Sequence, residues 1–567
     1  MLRPLLFAAA ALAGLSACAP APVTAQETDP AALALAAPDD ALAEIDSTTL
    51  YRHLAELASD AYQGRGTGTP GEAMTVEYIA GQMRALGLEG GAADGSFFQP
   101  VPLRGSTPTS VSPLVLTPDD TAPATLEFVS DFIASTDLDA EAASVHDAEL
   151  VFVGYGIENP GYDWDDYKGL DVEGKILVAF VNDPPATEAE PDLFQADTLT
   201  YNGRWTYKYE EARRRGALGA LLIHTPATAG YPFQVLSAGA RGEQISLSEP
   251  PEGALTVKGW LTQPSAERLA AMAGASLDQW FAEAATRDFQ PRILPVTASL
   301  DMTFENRRFE GTNVIGKRTG ASAPDEAVAY TAHHDHLGMN EDLIAAGEDG
   351  IYNGAVDNAS GVSMLLTLAE AFLAAERPAR TALFLTLSAE ESGLLGAAYY
   401  AENPVVPLAH TIANVNVDSG NLSGATEDIV GIGAERSEML DLLRAAAAAE
   451  GMRVTPDNQP NQGIFFRSDQ LAFARGGVPA VFIKTGATFV GRPEGYADEV
   501  AREYRMNRYH QPADELTGDE RLGGLVQQTR VAFRLGWLLA DSDLRPQWKP
   551  SEAFAQTRAD SERAAGM

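Results

Sequence analysis

From Gly311 onward the sequence alternates between short apolar runs and longer amphipathic ones, and that alternation restricts the fold more than any other feature. EAVAYTA, RTALFLTLS, HTIANVNVD and VPAVFI are strand-like, and RTALFLTLS has the continuous apolar character of a strand buried on both faces. Between them, SGVSMLLTLAEAFLAA, GLLGAAYYAEN and SEMLDLLRAAAAAEG read as helices, and ERLGGLVQQTRVAFRLGWLLAD closes the series as an amphipathic helix. Strand and helix in turn predict an α/β domain with a mostly parallel central sheet and helices on both faces.

A chain of 567 residues is too long for one ordinary core, so a second unit is expected. From about Ala143 the texture changes: AELVFVGYGI, GKILVAFVND and GALGALLIHT are short β-rich runs separated by Gly, Pro and Asp turns, with YKYEEARRRGA as a helix among them. The expected organisation is a main domain from 46–142 and 300–545, a β-rich insertion over 143–299, and a C-terminal tail over 546–567. The glycines of YQGRGTGTPGEAM follow a helix rather than a strand, so they lack the context of a dinucleotide loop. They read as a loop ending in a capping box, Thr69-Pro70-Gly71-Glu72, that opens a helix to about Leu86.

The N-terminus, MLRPLLFAAAALAGLSAC, has one early arginine, an apolar run too short to span a membrane, and then small residues. The chain's single cysteine, Cys18, ends this segment. The arrangement resembles a bacterial lipoprotein signal over 1–18, followed by a flexible tether over 19–45. It implies export to the cell envelope or periplasm with the membrane reached only through lipid on Cys18, against the alternative of plain secretion. Lys and Arg total 40 against 79 Asp and Glu, a formal charge of −39, which opposes nucleic-acid binding.

Function in open α/β sheets gathers at the carboxyl ends of strands. There EAVAYTA runs into His333-His334-Asp335-His336, RTALFLTLSA into Glu390-Glu391, and HTIANVNV into Asp418. YNGAVDNASG (352–361) precedes a helix, and RYHQPADE (508–515) precedes the last one. Taken singly these are bland: strand-end histidines, helix caps at Asp357 and Asn358, a solvated Glu-Glu pair. Together they form a set of carboxylates and imidazoles without a thiolate, as a hydrolytic divalent-metal site requires.

The order AHHDHLG, YNGAVDNASG, SAEESG, NVD, YHQPADE resembles the zinc aminopeptidases of metallopeptidase family twenty-eight. The resemblance implies a two-zinc centre (manganese or cobalt as substitutes) that hydrolyses peptide substrates from the N-terminus. His333, Asp357, Glu391, Asp418 and His510 would be its ligands, with Asp357 bridging. Glu390 would be the general base, and Asp335 would orient the His333 ring. It further implies a cis peptide at Asp357-Asn358. His334, His336 and His410 match no ligand position and read as structural or pocket-rim residues. Where several relatives have Ser-Asp-His this chain has Ser468-Asp469-Gln470, and Val478 stands where some carry a tyrosine, so Tyr509 is the candidate donor to the reaction's oxyanion. VGYGIENPGYDWDDYKGLDVEGKILV makes the insertion similar to a protease-associated domain. A carboxypeptidase or dipeptidase on the same scaffold, and a receptor-like binding protein without catalysis, are the competing readings; the oligomeric state is not legible.

Overall fold

The computed structural model describes residues 29–229 and 232–567. The signal segment and Cys18 lie outside them. Seven strands frame the part that carries the site: β1 (Phe98–Val111), β2 (Arg292–Arg318), β3 (Ala323–His333), β4 (Arg380–Leu387), β5 (Thr411–Asn416), β6 (Asp428–Ile432) and β7 (Ala480–Thr485). Their lateral order is β1-β2-β4-β3-β5-β7-β6. The four central strands β4, β3, β5 and β7 run parallel, while β2 and β6 flank them antiparallel. The fold is therefore a mixed α/β sheet, parallel at its centre, as the alternation of elements requires.

Side chains alternate between the two faces of a strand, and the apolar residues here split accordingly. Val328, Tyr330 and Ala332 of β3, with Ala382 and Phe384 of β4, join one core together with residues of helices Ser47–Leu57, Pro70–Leu86, Ser360–Ala374, Met439–Ala449 and Gly523–Ala540. Ala327 and Ala329, with Leu383, Leu385 and Leu387, form a second core against Ala397, Tyr400 and Phe473. Every residue of β4 is buried.

Residues 114–300 build a further layer of strands. Ile176–Phe180, Gly219–Ile223 and Val257–Leu261 pair in parallel, and Phe132–Ser135 pairs antiparallel with the last of these. The 27-residue β2 joins the layers. Its first half pairs with Leu114–Pro118 and Ala142–Phe152, and its second half with β1 and β4. Trp280 stacks on Phe152 with ring centroids 4.2 Å apart, filling the core of this layer.

Two terminal stretches are more ordered than their composition suggests. Within the expected tether, residues 29–45 contain the helices Pro30–Leu35 and Asp39–Ala43, and Ala34, Leu42 and Ile45 are buried. Arg534 donates to the Ala34 carbonyl at 2.7 Å and Arg530 to the Leu42 carbonyl at 2.9 Å. Each helix is too short to show a period, so the apolar spacing carried no signal. In the C-terminal stretch, Trp548 donates to the Gly477 carbonyl at 2.9 Å. The buried Arg558 donates to the carbonyls of Leu408 and Thr411 at 3.0 and 3.1 Å.

Helix Pro70–Leu86 begins at Pro70 as expected, but the capping box does not form. Thr69 donates instead to the Gly66 carbonyl at 2.6 Å. Glu72 turns inward, accepting from the Gly68 amide at 2.5 Å and from the Ser388 hydroxyl. A buried carboxylate goes where donors satisfy it, and here they are an amide just ahead of the helix and a hydroxyl across the domain.

Candidate metal centre

Parallel strands end side by side, so residues that follow them converge. His333 pairs with Leu387 across β3 and β4, and Thr331 pairs with Asn416 across β3 and β5. Glu390-Glu391 and Asp418 therefore leave the sheet beside His333. Asp357 arrives from the turn ahead of helix Ser360–Ala374. The Asp514 carboxylate accepts from the amides of Val356 and Asp357 at 3.2 and 3.1 Å, tying that turn to the RYHQPADE segment. The Asp357-Asn358 peptide is cis. Asn358 donates to the carbonyls of His333 and Val417 and accepts from the amides of Gly361 and Ser419, cross-linking the ends of β3 and β5 to the helix start.

The Asp357 carboxylate sits at the middle of the cluster. Its Oδ1 lies 3.1 Å from His333 Nε2, and its Oδ2 lies 3.4 Å from His510 Nε2. His333 Nε2 is also 3.6 Å from Asp418 Oδ1, and His510 Nε2 is 3.0 Å from Glu391 Oε2. Each oxygen of one carboxylate thus faces an imidazole that has a second carboxylate at its side. Glu390 borders the first half: its oxygen and the ligand atoms of His333 and Asp418 all lie within 4.8 Å of one another. The same holds for His333, Asp357 and Glu391. His510 Nε2 is buried, yet neither of its carboxylate contacts has hydrogen-bond alignment. A nitrogen directed between two carboxylates without a hydrogen bond is suited to share a cation with them, so the donor set fits divalent metals that accept imidazole and carboxylate.

Asp335 does not meet the His333 ring through its carboxylate as expected. The Asp335 carboxylate is 3.9 Å from His333 Nδ1; it is the Asp335 carbonyl, at 3.1 Å, that meets the ring. The carboxylate accepts instead from the amides of Glu390 and Glu391, at 3.0 and 3.3 Å, and from Thr67. Tyr509 is 45% exposed and stacks on the His510 ring, centroids 3.9 Å apart. His334 and His336 are buried, not at a rim. His336 Nδ1 lies 2.7 Å from Glu391 Oε1 and braces that carboxylate from behind. Gln470 is structural: it accepts from Asn416 at 2.8 Å and donates to the Phe465 carbonyl at 2.7 Å. Its neighbour Ser468 donates to Asp418 Oδ2 at 2.6 Å. Val478 packs in the core with Leu385 and Phe473.

One important residue escaped the sequence reading. Arg65, from the glycine-rich QGRGTG loop, is buried and donates to four backbone carbonyls: His334 at 2.9 Å, Leu57 at 2.8 Å, Asn353 at 2.5 Å and Gly354 at 2.9 Å. It pins the loops that carry Asp335 and Asp357. The loop's glycines allow this approach: Gly64 has φ +65°, and a Cβ there would lie 2.2 Å from the Gly338 carbonyl oxygen.

The electrostatics follow from burying four carboxylates and two imidazoles together. Burial pushes the Asp357 carboxyl up, but the close His333 and His510 imidazoles outweigh it and hold it well below the usual carboxylate range. Burial lowers His510, and the carboxylates of Asp357 and Glu391 beside it then carry it up to about 10. Glu390 is pushed well above its ordinary value by burial, against the pull of His333, with Glu391 and Asp418 adding to the rise. Burial lowers Arg65 to about 10 even though Asp357, Asp514, Asp335 and Glu391 favour its charge.

Residues 313–526, which span β3 to β7 and every residue of the cluster, match the family model for peptidase family M28. The chain carries a peptidase family M28 domain. Among curated proteins, the chain is similar to a probable glutamate carboxypeptidase AMP1 of Arabidopsis thaliana, 24% identical over 79% of this chain and 63% of that protein. Aminopeptidase NAALADL1 of Mus musculus is 31% identical over 24% of this chain and 18% of that protein. A vacuolar membrane protease of Schizophyllum commune is 34% identical over 19% of this chain and 10% of its own length. The chain thus spans less than two thirds of the curated relatives it matches. Among solved structures, an aminopeptidase from Aneurinibacillus sp. strain AM-1 aligns over 90% of this chain and 98% of its own, with 18% identity and a TM-score of 0.47. A zinc aminopeptidase from Bacillus subtilis aligns over 88% and 97%, with 17% identity and a TM-score of 0.40. Among the described residues, no helix is long and apolar enough to cross a membrane.

Proposed function

We propose that this chain is a two-metal exopeptidase that removes residues from the N-terminus of peptides. The observation that carries the reading is the placement of Asp357, with one carboxylate oxygen toward His333 and Asp418 and the other toward His510 and Glu391. His333, Asp357 and Asp418 would hold one zinc ion, and Asp357, Glu391 and His510 the other, with manganese or cobalt as substitutes. Such a pair, when bound, acidifies a shared water and polarises a scissile carbonyl.

The chain's own residues supply the rest. Glu390 borders His333 and Asp418, and burial raises its proton affinity well above that of an ordinary glutamate. It therefore suits a base that takes a proton from water and returns it to the departing amine. Asp335 holds the Glu390 and Glu391 amides and so sets where both carboxylates point. Tyr509, exposed beside His510, is the group placed to donate to the oxygen that gains charge.

Direction along the peptide rests on the printed names of relatives, which include an aminopeptidase as well as a carboxypeptidase. Peptides blocked at one end or the other distinguish the two. Metal analysis should find two ions per chain, and Glu390→Gln should keep both while turnover falls by about 10²–10⁴. A zinc-loaded Gln variant that still cleaves at the original rate removes Glu390 from this role. Export with lipid on Cys18, and a protease-associated character for 143–299, belong to the same proposal and rest on sequence. The mass of a mature N-terminal peptide, beginning at acylated Cys18 or elsewhere, tests the first.

A further inference from the structure

The hydrogen bonds behind Asp418 all point one way. Asn414 donates to the Thr331 hydroxyl at 3.0 Å, Thr331 to Asn416 Oδ1 at 2.7 Å, and Asn416 to the Ser468 hydroxyl at 2.9 Å. Ser468 then donates to Asp418 Oδ2 at 2.6 Å. Asn416 also donates to Gln470 Oε1 at 2.8 Å, and Gln470 donates to the Phe465 carbonyl at 2.7 Å. A carbonyl only accepts, so Phe465 fixes the orientation of both amides and with them the direction of the chain of bonds. Thr331, Asn414, Asn416, Ser468 and Gln470 are all buried, and turning one of them over would strand a donor or an acceptor. Asp418 is thus held at Oδ2 by Ser468, with Oδ1 beside the Ser419 hydroxyl and 3.6 Å from His333 Nε2.

This support continues into the inserted layer. Phe465 and Phe466 are buried in the core of that layer, together with Leu193, Phe194 and Tyr201 of the segment 193–201. Within the segment, the Leu199 amide donates to the Pro460 carbonyl at 3.1 Å, and the Leu199 carbonyl accepts from Arg436 at 3.3 Å. The Leu199 side chain fills the space that Gly463 leaves: a Cβ on Gly463 would lie 2.5 Å from Leu199 Cδ2. Upstream, Phe194, Gln195 and Ala196 have φ of 47°, 63° and 56°. Non-glycine residues hold such a left-handed run only where their surroundings over-determine it. Here Phe194 packs on Tyr162, ring centroids 4.5 Å apart, and Gln195 donates to the Tyr162 hydroxyl at 3.0 Å. A segment held this firmly can fix the loop 460–466 that leads into Ser468.

We propose that segment 193–201 of the inserted layer positions Asp418 for metal, with Leu199 and Ser468 as the positioning residues. Leu199 fixes the loop 460–466, the loop fixes Ser468, and Ser468 fixes the Asp418 carboxylate. The insertion thereby acts on the metal centre from a distance. This rests on the assignment of Asp418 to metal in the exopeptidase reading.

The experiment uses the full chain and follows zinc by chelator competition. Ser468→Ala should weaken one of the two zinc ions by about 10–100-fold and leave the other, and Ser468→Thr, which keeps the hydroxyl, should restore it. Leu199→Ala should weaken the same ion. In the Ser468→Ala background Leu199→Ala should add nothing, because the hydroxyl through which it acts is already gone. Denaturation of the metal-free variants separates this from a purely structural role, which would lower the midpoint and leave zinc affinity intact. Unchanged zinc affinity in Leu199→Ala overturns the proposal, and so do losses in the two single variants that multiply in the double one. Leu199 is only half-buried, so Leu199→Ala decides the matter even where Ser468→Ala does not fold. If the effects on zinc hold but no peptide is cleaved, the positioning role stands and the exopeptidase reading falls. If peptides are cleaved and zinc affinity is the same in every variant, the positioning role alone falls. An unsubstituted chain that binds no zinc overturns both.

Discussion

Replacing Arg65 by Met tests whether the glycine-rich loop buttresses the metal centre. Methionine fills much of the arginine's volume but leaves four carbonyls, those of His334, Leu57, Asn353 and Gly354, without their donor. A hydrogen bond from a charged group contributes about 1.5–3 kcal/mol, so four bonds would exceed 6 kcal/mol if they were additive. They are not, because removing the buried guanidinium also removes its desolvation cost. The net loss should be about 3–5 kcal/mol, the range seen when a buried charge network is broken on one side. Chemical denaturation of the metal-free protein measures it without contribution from bound metal. Zinc affinity should fall as well, since the released loops carry Asp335 and Asp357. Arg65→Lys should lie between, because a single ammonium cannot reach carbonyls on three separate segments. An Arg65→Met protein with unchanged denaturation midpoint and unchanged zinc affinity would refute the argument.

His336→Ala removes the imidazole 2.7 Å from Glu391 and should weaken metal binding by about 10–100-fold, as loss of a group orienting a ligand does, measured by competition with a chelator. Asp137 offers a pH test away from the centre. Burial raises its pKa, but Lys258 and Arg213 outweigh that and hold it down at about 2. A folded-state value below the unfolded one contributes stability present above about pH 4 and lost as pH falls toward 2, about 2 kcal/mol in all. Asp137→Asn should flatten that acid limb in denaturant titrations; an unaltered limb would show that the ion pairs contribute nothing.

The central sheet was legible because its strands are buried on both faces and its helices are long enough to show a period. The cluster was legible because four of its five motifs sit at strand ends or a helix start, where parallel topology gathers them. Arg65, Asp514 and His336 were not, for a common reason. Each acts on backbone or on another side chain rather than at the centre itself, and no local pattern marks an arginine that binds carbonyls from a helix end and two loops. Glu72 shows the opposite failure: a correct local motif, Thr69-Pro70-Gly71-Glu72, lost to the neighbouring Gly68 amide and the distant Ser388 hydroxyl. Asp335 lies between the two, since its sequence position was informative but its partners were amides of Glu390 and Glu391 rather than the ring beside it. The helices at 30–43 stayed hidden because their stability comes from Arg530, Arg534 and the surfaces they cover.

The 27-residue strand Arg292–Arg318 limits how the molecule can change shape. A domain tethered by a floppy linker can swing over a cleft at little cost, but here the joint is itself a rung of two ladders. Tilting one half against the other would have to shear backbone pairs to Phe98–Val111 or to Ala142–Phe152. A ligand should therefore reach the centre through side-chain and loop adjustments, and a graft that exchanges residues 114–300 for another module must keep this strand's register across the seam.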